Sequence, residues 1–430
     1  MESQTRIRLS KRQIAAVVAG NGLDFYDFLT YAFFATQIAD TLFPKAGGHQ
    51  LLLTLATFGI GFLTRPLGSI VIGRIADKRG RRPAMLLSFL LMGAALIGLA
   101  LTPPYAVIGM AAPVLAVAFR MLQGFALGGE VGPNTAYLLE AAPLHRRGVY
   151  TSLQFVTQNA AILASGTVGL ILSSLLSPAE LTAWGWRVAF LLGAVIVPFA
   201  LAVRRSLDET LHHADPDPVE PMAQSKIARL MAIGVLAMAG GTVTGYTLDY
   251  LNTFAQKDLG MAANAAFGST AMLGLSAILV DFAAGWLSDR YGRKAVLIPA
   301  NVLLILLLPP AFMLVAHFRS TAALLAITAI LSMTLEFATN PAVTLLAEAL
   351  PRGVRASGLG TIYALSLALF GGSTQVVDQL LIDLAHSPLA PGWYAAGALL
   401  IAFSALLLLP ERYRAAGRGR ERPPKAAAPA

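Results

Sequence analysis

Two arginines and three carboxylates stand inside long apolar runs of this chain, where burying an ionisable side chain is costly and marks function. Arg65 falls twelve residues before Asp77, about 18 Å along a helix from the charged end of its run and so near mid-membrane depth. Asp24 lies twelve residues beyond Arg12, at the same depth. Asp27 and Tyr31 follow at i+3 and i+7, so the three share one helical face. Arg120 and Gln123 make another i, i+3 pair, and Glu130 follows ten residues after Arg120, within ALGGEVG. The planar fork of arginine matches a carboxylate through two hydrogen bonds, so two buried arginines suit an anionic ligand. Burial favours a neutral acid and a nearby guanidinium favours an ionised one. A carboxyl whose proton depends on whether ligand occupies the arginine is a coupling device, which makes Asp24, Asp27 and Glu130 candidate proton sites. The plainer reading of the same residues is ion pairing that only fixes a bundle.

The second half of the chain carries a different set. Tyr246, Asp249, Tyr250 and Asn252 fall in one apolar run, Asp281 in the next, Glu336 and Asn340 in another, and Gln375, Asp378 and Gln379 in a fourth. No arginine accompanies them at depth. Amides and tyrosines can bind a hydroxyl or a protonated carboxyl, so Asp249, Asn252 and Asn340 join Arg65, Arg120, Gln123 and Tyr31 as candidate ligand contacts. Unpaired acids would repel a polyanion unless protonated or turned away. Gln154, Gln158 and Asn159 are polar on an otherwise small-residue helix, which suits either a cavity lining or helix-to-helix hydrogen bonds.

The elements that position these residues are membrane helices. Hydrophobic residues make up 56% of the 430-residue chain and charged ones 13%, against roughly 25% charged in a soluble domain. The charge sits in short clusters between apolar runs of about 20 residues or more, enough to cross a ~30 Å hydrocarbon core. These runs lack the short alternation of barrel strands. Twelve spans are expected, at 13–39, 51–76, 83–102, 107–139, 149–176, 185–206, 227–255, 264–288, 295–316, 321–349, 355–384 and 392–411. Pro66, Pro113, Pro133, Pro198, Pro299 and Pro341 are candidate bend points. With both termini cytoplasmic, 26 of the 32 lysines and arginines fall on the inner side and four on the outer, which fixes the orientation. The net charge of +9 is then a topology signal rather than a nucleic-acid footprint. There is no cysteine, hence no disulfide or thiolate metal site. His212 and His213 lie on a polar, proline-containing linker without other ligands.

The segments GRIADKRGRRP (73–83) and GWLSDRYGRKA (285–295) repeat one pattern, with Asp77 and Asp289 212 residues apart. Such a repeat indicates two similar membrane halves. The expected organisation is a six-helix bundle over 1–207, a cytoplasmic linker over 208–226, a second six-helix bundle over 227–413 and a disordered basic tail over 414–430. In each repeat the glycine allows close helix approach, and the aspartate can cap the following helix start or pair with an arginine. Asp77 with Arg81 and Asp289 with Arg293 are therefore candidate gating latches.

These segments resemble the signature loops of the major facilitator superfamily. GNGLDFYDFLTYAFFA (20–35), FLTRPLGSIVIGRIADKRGRR (62–82), FRMLQGFALGGEVG (119–132), EAAPLHRRGVYTSLQ (140–154), WGWRVAFLLG (184–193), RRSLDET (204–210) and EALPRGVRASG (348–358) are similar to its metabolite:proton symporter family. Nearly all spans take part. Arg65, FGG (370–372) and PGW (391–393) look most like the citrate-type members. The resemblance implies an all-α fold of twelve transmembrane helices in two six-helix bundles around a central cavity, working in a bacterial inner membrane. Asn21, Asp24, Asp27, Arg65, Arg120, Gln123 and Glu130 fall on its motif positions. Asp24 stands where glutamate is more usual, and Asp249, Asp281 and Glu336 where citrate-type members are expected to be neutral. The implied function is proton-coupled import of a small di- or tricarboxylate such as citrate by alternating access. The alternatives are uptake of shikimate, betaine or proline, and proton-driven efflux of a cationic or aromatic compound. No enzyme chemistry, cofactor or metal is implied. The expected partners are the organic acid, protons and the lipid bilayer, with no nucleic acid and a monomeric protein.

Overall fold

The computed structural model describes Gly22 and residues 25–45, 48–79, 81–128, 142–194, 224–351 and 355–411, and among these residues there is no strand. Helix α1 runs over 25–33 and continues past Phe34 as Ala35–Leu42. Helix α2 comprises Gln50–Leu63 and Arg65–Arg79, and α3 and α4 are Arg81–Leu101 and Ala111–Leu127. Helix α5 is Arg147–Leu175, and α6 is described over 186–194. In the second half α7 is Gln224–Lys257, α8 Ala263–Tyr291, α9 Arg293–Phe318 and α10 Thr321–Ala349. Helix α11 is built from Arg355–Ser366, a π-turn at Leu367–Gly371 and Gly372–Ala385, and α12 is Ala390–Leu408.

Helix thus occupies the described part of each of the twelve expected spans. Eight described helices are long and apolar enough to cross a membrane, including α5, all of α7 to α10, and α12. Leu86–Leu101 and Ala111–Leu127 are shorter apolar helices. Most of the expected linker, 208–223, and the tail from 414 lie outside the described residues. Its last three positions, 224–226, begin α7.

Local chemistry explains the breaks. Helix α2 is interrupted at Thr64, beside Pro66, which offers no N–H to the carbonyl of residue 62. The Thr64 hydroxyl instead donates to the Met121 carbonyl of α4 at 2.8 Å. Pro113 sits in the first turn of α4, where a missing N–H costs little, and marks no bend. Pro299 and Pro341 lie inside helices that run on without interruption.

Several crossings are made backbone to backbone. A methyl group at Gly124 of α4 would collide with the Gly61 carbonyl of α2, so these helices touch where Arg65 and Arg120 project. The halves meet in the same way along α5 and α8. A Cβ at Gly148 would lie 2.5 Å from the Gly285 carbonyl, and one at Gly274 would lie 2.5 Å from the Asn159 carbonyl. Small residues let helix backbones approach in a solvent where apolar burial between helices supplies little drive.

Candidate functional site

A cavity opens between the halves, walled by α1 and α5 on one side and by α7, α10, α11 and α12 on the other. Its polar lining comes mostly from three helices. Gln154, Gln158 and Asn159 stand on α5, Tyr246 and Asp249 on α7, and Glu336 and Thr339 on α10. Thr242 of α7, Ser332 of α10, Tyr363 of α11 and Asn301 of α9 add to it, with Phe25 and Leu29 of α1 as an apolar wall. Residues 154, 158 and 159 face one way because i, i+4 and i+5 share a helical face. Of the expected ligand contacts, Gln154, Gln158 and Asp249 line this cavity. Among the described residues no lysine or arginine lines it.

The two guanidiniums lie one aromatic layer behind the wall. The Arg65 guanidinium carbon is 4.3 Å from the centre of the Phe28 ring and 4.4 Å from that of Phe62. That of Arg120 is 4.3 Å from Phe28, 4.6 Å from Tyr31 and 5.0 Å from Phe58. Phe58 and Phe62 in turn pack on Tyr246, with ring centres 5.9 and 5.4 Å away. Cation–π contact of this kind replaces part of the hydration that a buried guanidinium loses. Arg120 has no exposed surface and donates to Gln123 Oε1 at 2.6 Å and to the Phe28 and Phe58 carbonyls at 3.4 Å. Gln123 is therefore an acceptor for Arg120 rather than a cavity group, and Tyr31 lies beneath the same guanidinium.

The remaining expected contacts hold helices together. Asn252 Nδ2 donates to Thr270 Oγ1 at 2.9 Å, and its carbonyl accepts from Gln256, which accepts in turn from Gln37 of α1. This amide chain ties α1 to α7 and α8. Asn340 Nδ2 donates to Ser152 Oγ and to the Asp281 carbonyl, joining α10 to α5 and α8. Asp27 is buried on α1, with Oδ1 against Gly193 of α6, and does not line the cavity. Asp24 and Glu130 lie outside the described residues, as do the side chains of Asp77 and Arg81.

The second repeat lies among the described residues, and of the two expected arrangements it takes the arginine pairing, Asp289 with Arg293. Asp289 does not cap the helix that follows it. Its two carboxylate oxygens accept from the Gly148 and Val149 amides at 2.9 and 3.0 Å, capping the first turn of α5 in the other half. Arg293 has no exposed surface and bridges Asp289 and Glu348, while Arg147 lies 3.7 Å from Glu348. The turn between α8 and α9 is Gly292 alone, at φ 106°, a conformation that glycine adopts without a Cβ penalty. The partner of Asp289 was beyond sequence reasoning because it comes from 141 residues away. Tyr363, Asn301 and Thr339 were missed as lining residues, since single polar residues in apolar helices carry no face of their own. The aromatic bed of Arg65 had a signal, because Phe58, Phe62 and Arg65 follow at i, i+4 and i+7.

Comparison with known proteins settles the family. Residues 17–373 match the Major Facilitator Superfamily. The chain belongs to that superfamily. It is 34% identical over 407 residues to a citrate-proton symporter of Klebsiella pneumoniae, covering 93% of this chain and 91% of the relative. An alpha-ketoglutarate permease of Escherichia coli (strain K12) is 33% identical over 410 residues, covering 93% and 94%. Among solved structures, the crystal structure of a D-xylose-proton symporter superposes with a TM-score of 0.73 at 18% identity, over 93% of this chain and 98% of that one. That likeness speaks for the fold. This superfamily member is a multi-pass membrane transporter and not an enzyme.

Proposed function

We propose that this transporter imports a small di- or tricarboxylate, such as citrate, together with protons by alternating access. The observation that carries the reading is the pair of guanidiniums bedded on Phe28, whose neighbours Phe58 and Phe62 pack on the cavity-lining Tyr246. Tyr246 lies in the field of both Arg65 and Arg120, and Tyr363 in that of Arg65. A ligand carboxylate at Tyr246 is drawn by two positive charges in a low-dielectric surrounding. The names of the citrate-proton symporters and of the permease relative support the same substrate class. Arg65 and Arg120 attract the acid, Gln154, Gln158 and Tyr363 orient it, and Asp24, Asp27 and Glu130 are candidate proton carriers.

Alternating access requires contacts between the halves that can be made and broken. The cap of Asp289 on α5, with its Arg293–Glu348–Arg147 network, is one such contact, and the Asp77 and Arg81 segment is its counterpart. The surplus of cations on one side supports cytoplasmic termini, and the bacterial relatives support a bacterial inner membrane. Each half, 1–207 and 227–413, then moves as a six-helix bundle.

A second reading draws on Asp249 and Glu336, two acids on a lining that includes no lysine or arginine among the described residues. They suit a substrate carrying a positive group, as in betaine or proline uptake or in efflux of a cationic compound. One assay separates the readings. The protein is reconstituted in liposomes under an inward proton gradient, and labelled citrate, α-ketoglutarate, shikimate and betaine are offered in turn. Accumulation of a polycarboxylate with lumenal acidification supports the first reading, and accumulation of betaine alone replaces it with the second. Loss of preloaded cation in exchange for protons replaces import with efflux.

A further inference from the structure

Two carboxyl groups of the second half meet on one donor from the first. Asn159 Nδ2 on α5 donates to Asp281 Oδ2 of α8 and to Glu336 Oε1 of α10, each at 3.0 Å. Oxygens bonded to one nitrogen are no more than about 6 Å apart, where two ionised carboxylates in a dry setting repel strongly. Asp281 has no exposed surface, and Glu336 is 6% exposed and lines the cavity. Among the described residues no donor reaches Asp281 Oδ1 or Glu336 Oε2. One amide group therefore serves two buried carboxyls, too few donors for two full charges. A proton on the pair removes the repulsion and supplies a missing donor. Asn340, whose Nδ2 is spent on Ser152 and the Asp281 carbonyl, leaves its buried Oδ1 as a free acceptor beside them.

Among the described residues nothing facing the pair substitutes for that proton. The other ionisable groups on the same cavity are Asp249 and Tyr246 of α7 and Tyr363 of α11. Helices α5 and α9 present only the amides of Gln154, Gln158, Asn159 and Asn301 there, and α1 and α12 only apolar groups. We infer that Asp281 and Glu336 together carry one of the transported protons, and that Asn159 ties this proton to α5 of the opposite half. The inference rests on the proton-coupled carboxylate reading above.

An O–H bond forms on one carboxyl oxygen when the proton enters from one side of the membrane. It breaks when that proton passes to water on the other. The pair alternates between one and two negative charges, and no electrons move. In the singly charged state Asn159 holds both carboxyls and the α5, α8 and α10 helices stay joined. In the doubly charged state the carboxyls push apart and one of the Asn159 bonds is lost. An anionic substrate meets less opposition from Glu336 when the proton is already in place, which orders the events as proton first.

The test uses the full chain in liposomes and in detergent. The proton-to-citrate ratio, read from the gradient at which net flux reverses, is expected to fall by about one in the Asp281→Asn/Glu336→Gln double variant. An unchanged ratio overturns the inference. Substrate-free infrared spectra at neutral pH provide a second measure that does not need transport. The double variant is expected to lack one protonated-carboxyl C=O band present in the parent, and equal bands overturn the inference even if the variant moves nothing. If the parent carries citrate and α-ketoglutarate without acidifying the lumen, the proton-coupled reading fails, whatever the infrared bands show.

Discussion

Arg65 and Arg120 share one aromatic ring, each guanidinium carbon standing 4.3 Å from the centre of Phe28. Two like charges are thus held close by a ring that favours both, with Tyr246 on the open side of the aromatic layer. Replacing either arginine by alanine is expected to lower carboxylate uptake at least a hundredfold, a loss of roughly 3 kcal/mol of interaction. Lysine at 120 is not expected to restore it, because an ammonium cannot reproduce the fork that reaches Gln123 and two carbonyls. Labelled uptake in liposomes, beside a size-exclusion profile that shows intact protein, is the measurement. Normal uptake by the Arg65→Ala and Arg120→Ala variants would end the substrate role.

Asp249 decides between substrate classes. On the carboxylate reading, Asp249→Asn lightens the negative charge on the cavity wall and leaves uptake of citrate equal or faster. On the cationic reading, the same variant loses transport while Arg65→Ala keeps it. Parallel initial rates for the two variants, with citrate and with betaine, distinguish these outcomes.

The cap that Asp289 places on α5 is expected to hold the halves closed at that end. Asp289→Asn removes the charge that favours the helix start, an effect of about 0.3–2 kcal/mol. Truncating its buried partner, Arg293→Ala, leaves Asp289 with its two amide donors and Glu348 with Arg147, and costs up to about 3–5 kcal/mol. The chain has no cysteine, so a single Val149→Cys can be labelled without interference. Maleimide is expected to reach that thiol faster when Asp289→Asn is added, and equal rates would show that the latch does not gate.

Close backbone approach makes the seam between α5 and α8 intolerant of side chains. Gly274→Leu is expected to destabilise the protein by at least about 1–3 kcal/mol, since the added atoms meet the backbone of α5 at Asn159 and Leu163. Gly268→Ala on the same helix meets only the Leu325 side chain at 3.7 Å and is expected to gain about 0.4–1 kcal/mol. Thermal unfolding of the two variants side by side is the check.

Asp258, just past the end of α7, supplies a pH signature of its own. Burial raises its carboxyl above the usual range, against the opposing hydrogen bonds from Gln379 and Tyr250. A raised acid favours the fold while protonated, so its contribution is complete below the ordinary aspartate value of about 4 and is lost as pH climbs through the raised value. Asp258→Asn is expected to flatten that decline in a series of melts, and an unchanged profile would remove Asp258 as its source.

Much of the fold was legible because a membrane span must be long, apolar and helical, and hydropathy records all three. The arginines at depth stood out for the same reason. What surrounds them did not. That Arg120 would lie on Phe28, Tyr31 and Phe58, away from the cavity lining, depends on how α1, α2 and α4 cross, and the crossing is set by Gly61 and Gly124. Asn340 and Asn252 read as ligand contacts because polarity in a span has two uses, and only packing shows which. Asp289 was recognisable as the partner of Arg293, whereas its grip on Gly148 was not, because sequence distance hides partners across a pseudo-symmetric pair.

The glycine seam has a mechanical consequence. Where α5 and α8 meet at Gly148, Gly274 and Gly285, backbone faces backbone, so a turn of one half on the other would change few rotamers at those points. Resistance is then concentrated in a few charged and amide contacts at discrete points along the bearing. A machine built this way lets a single proton or a single substrate tip the balance, because little else must be rearranged for it to turn.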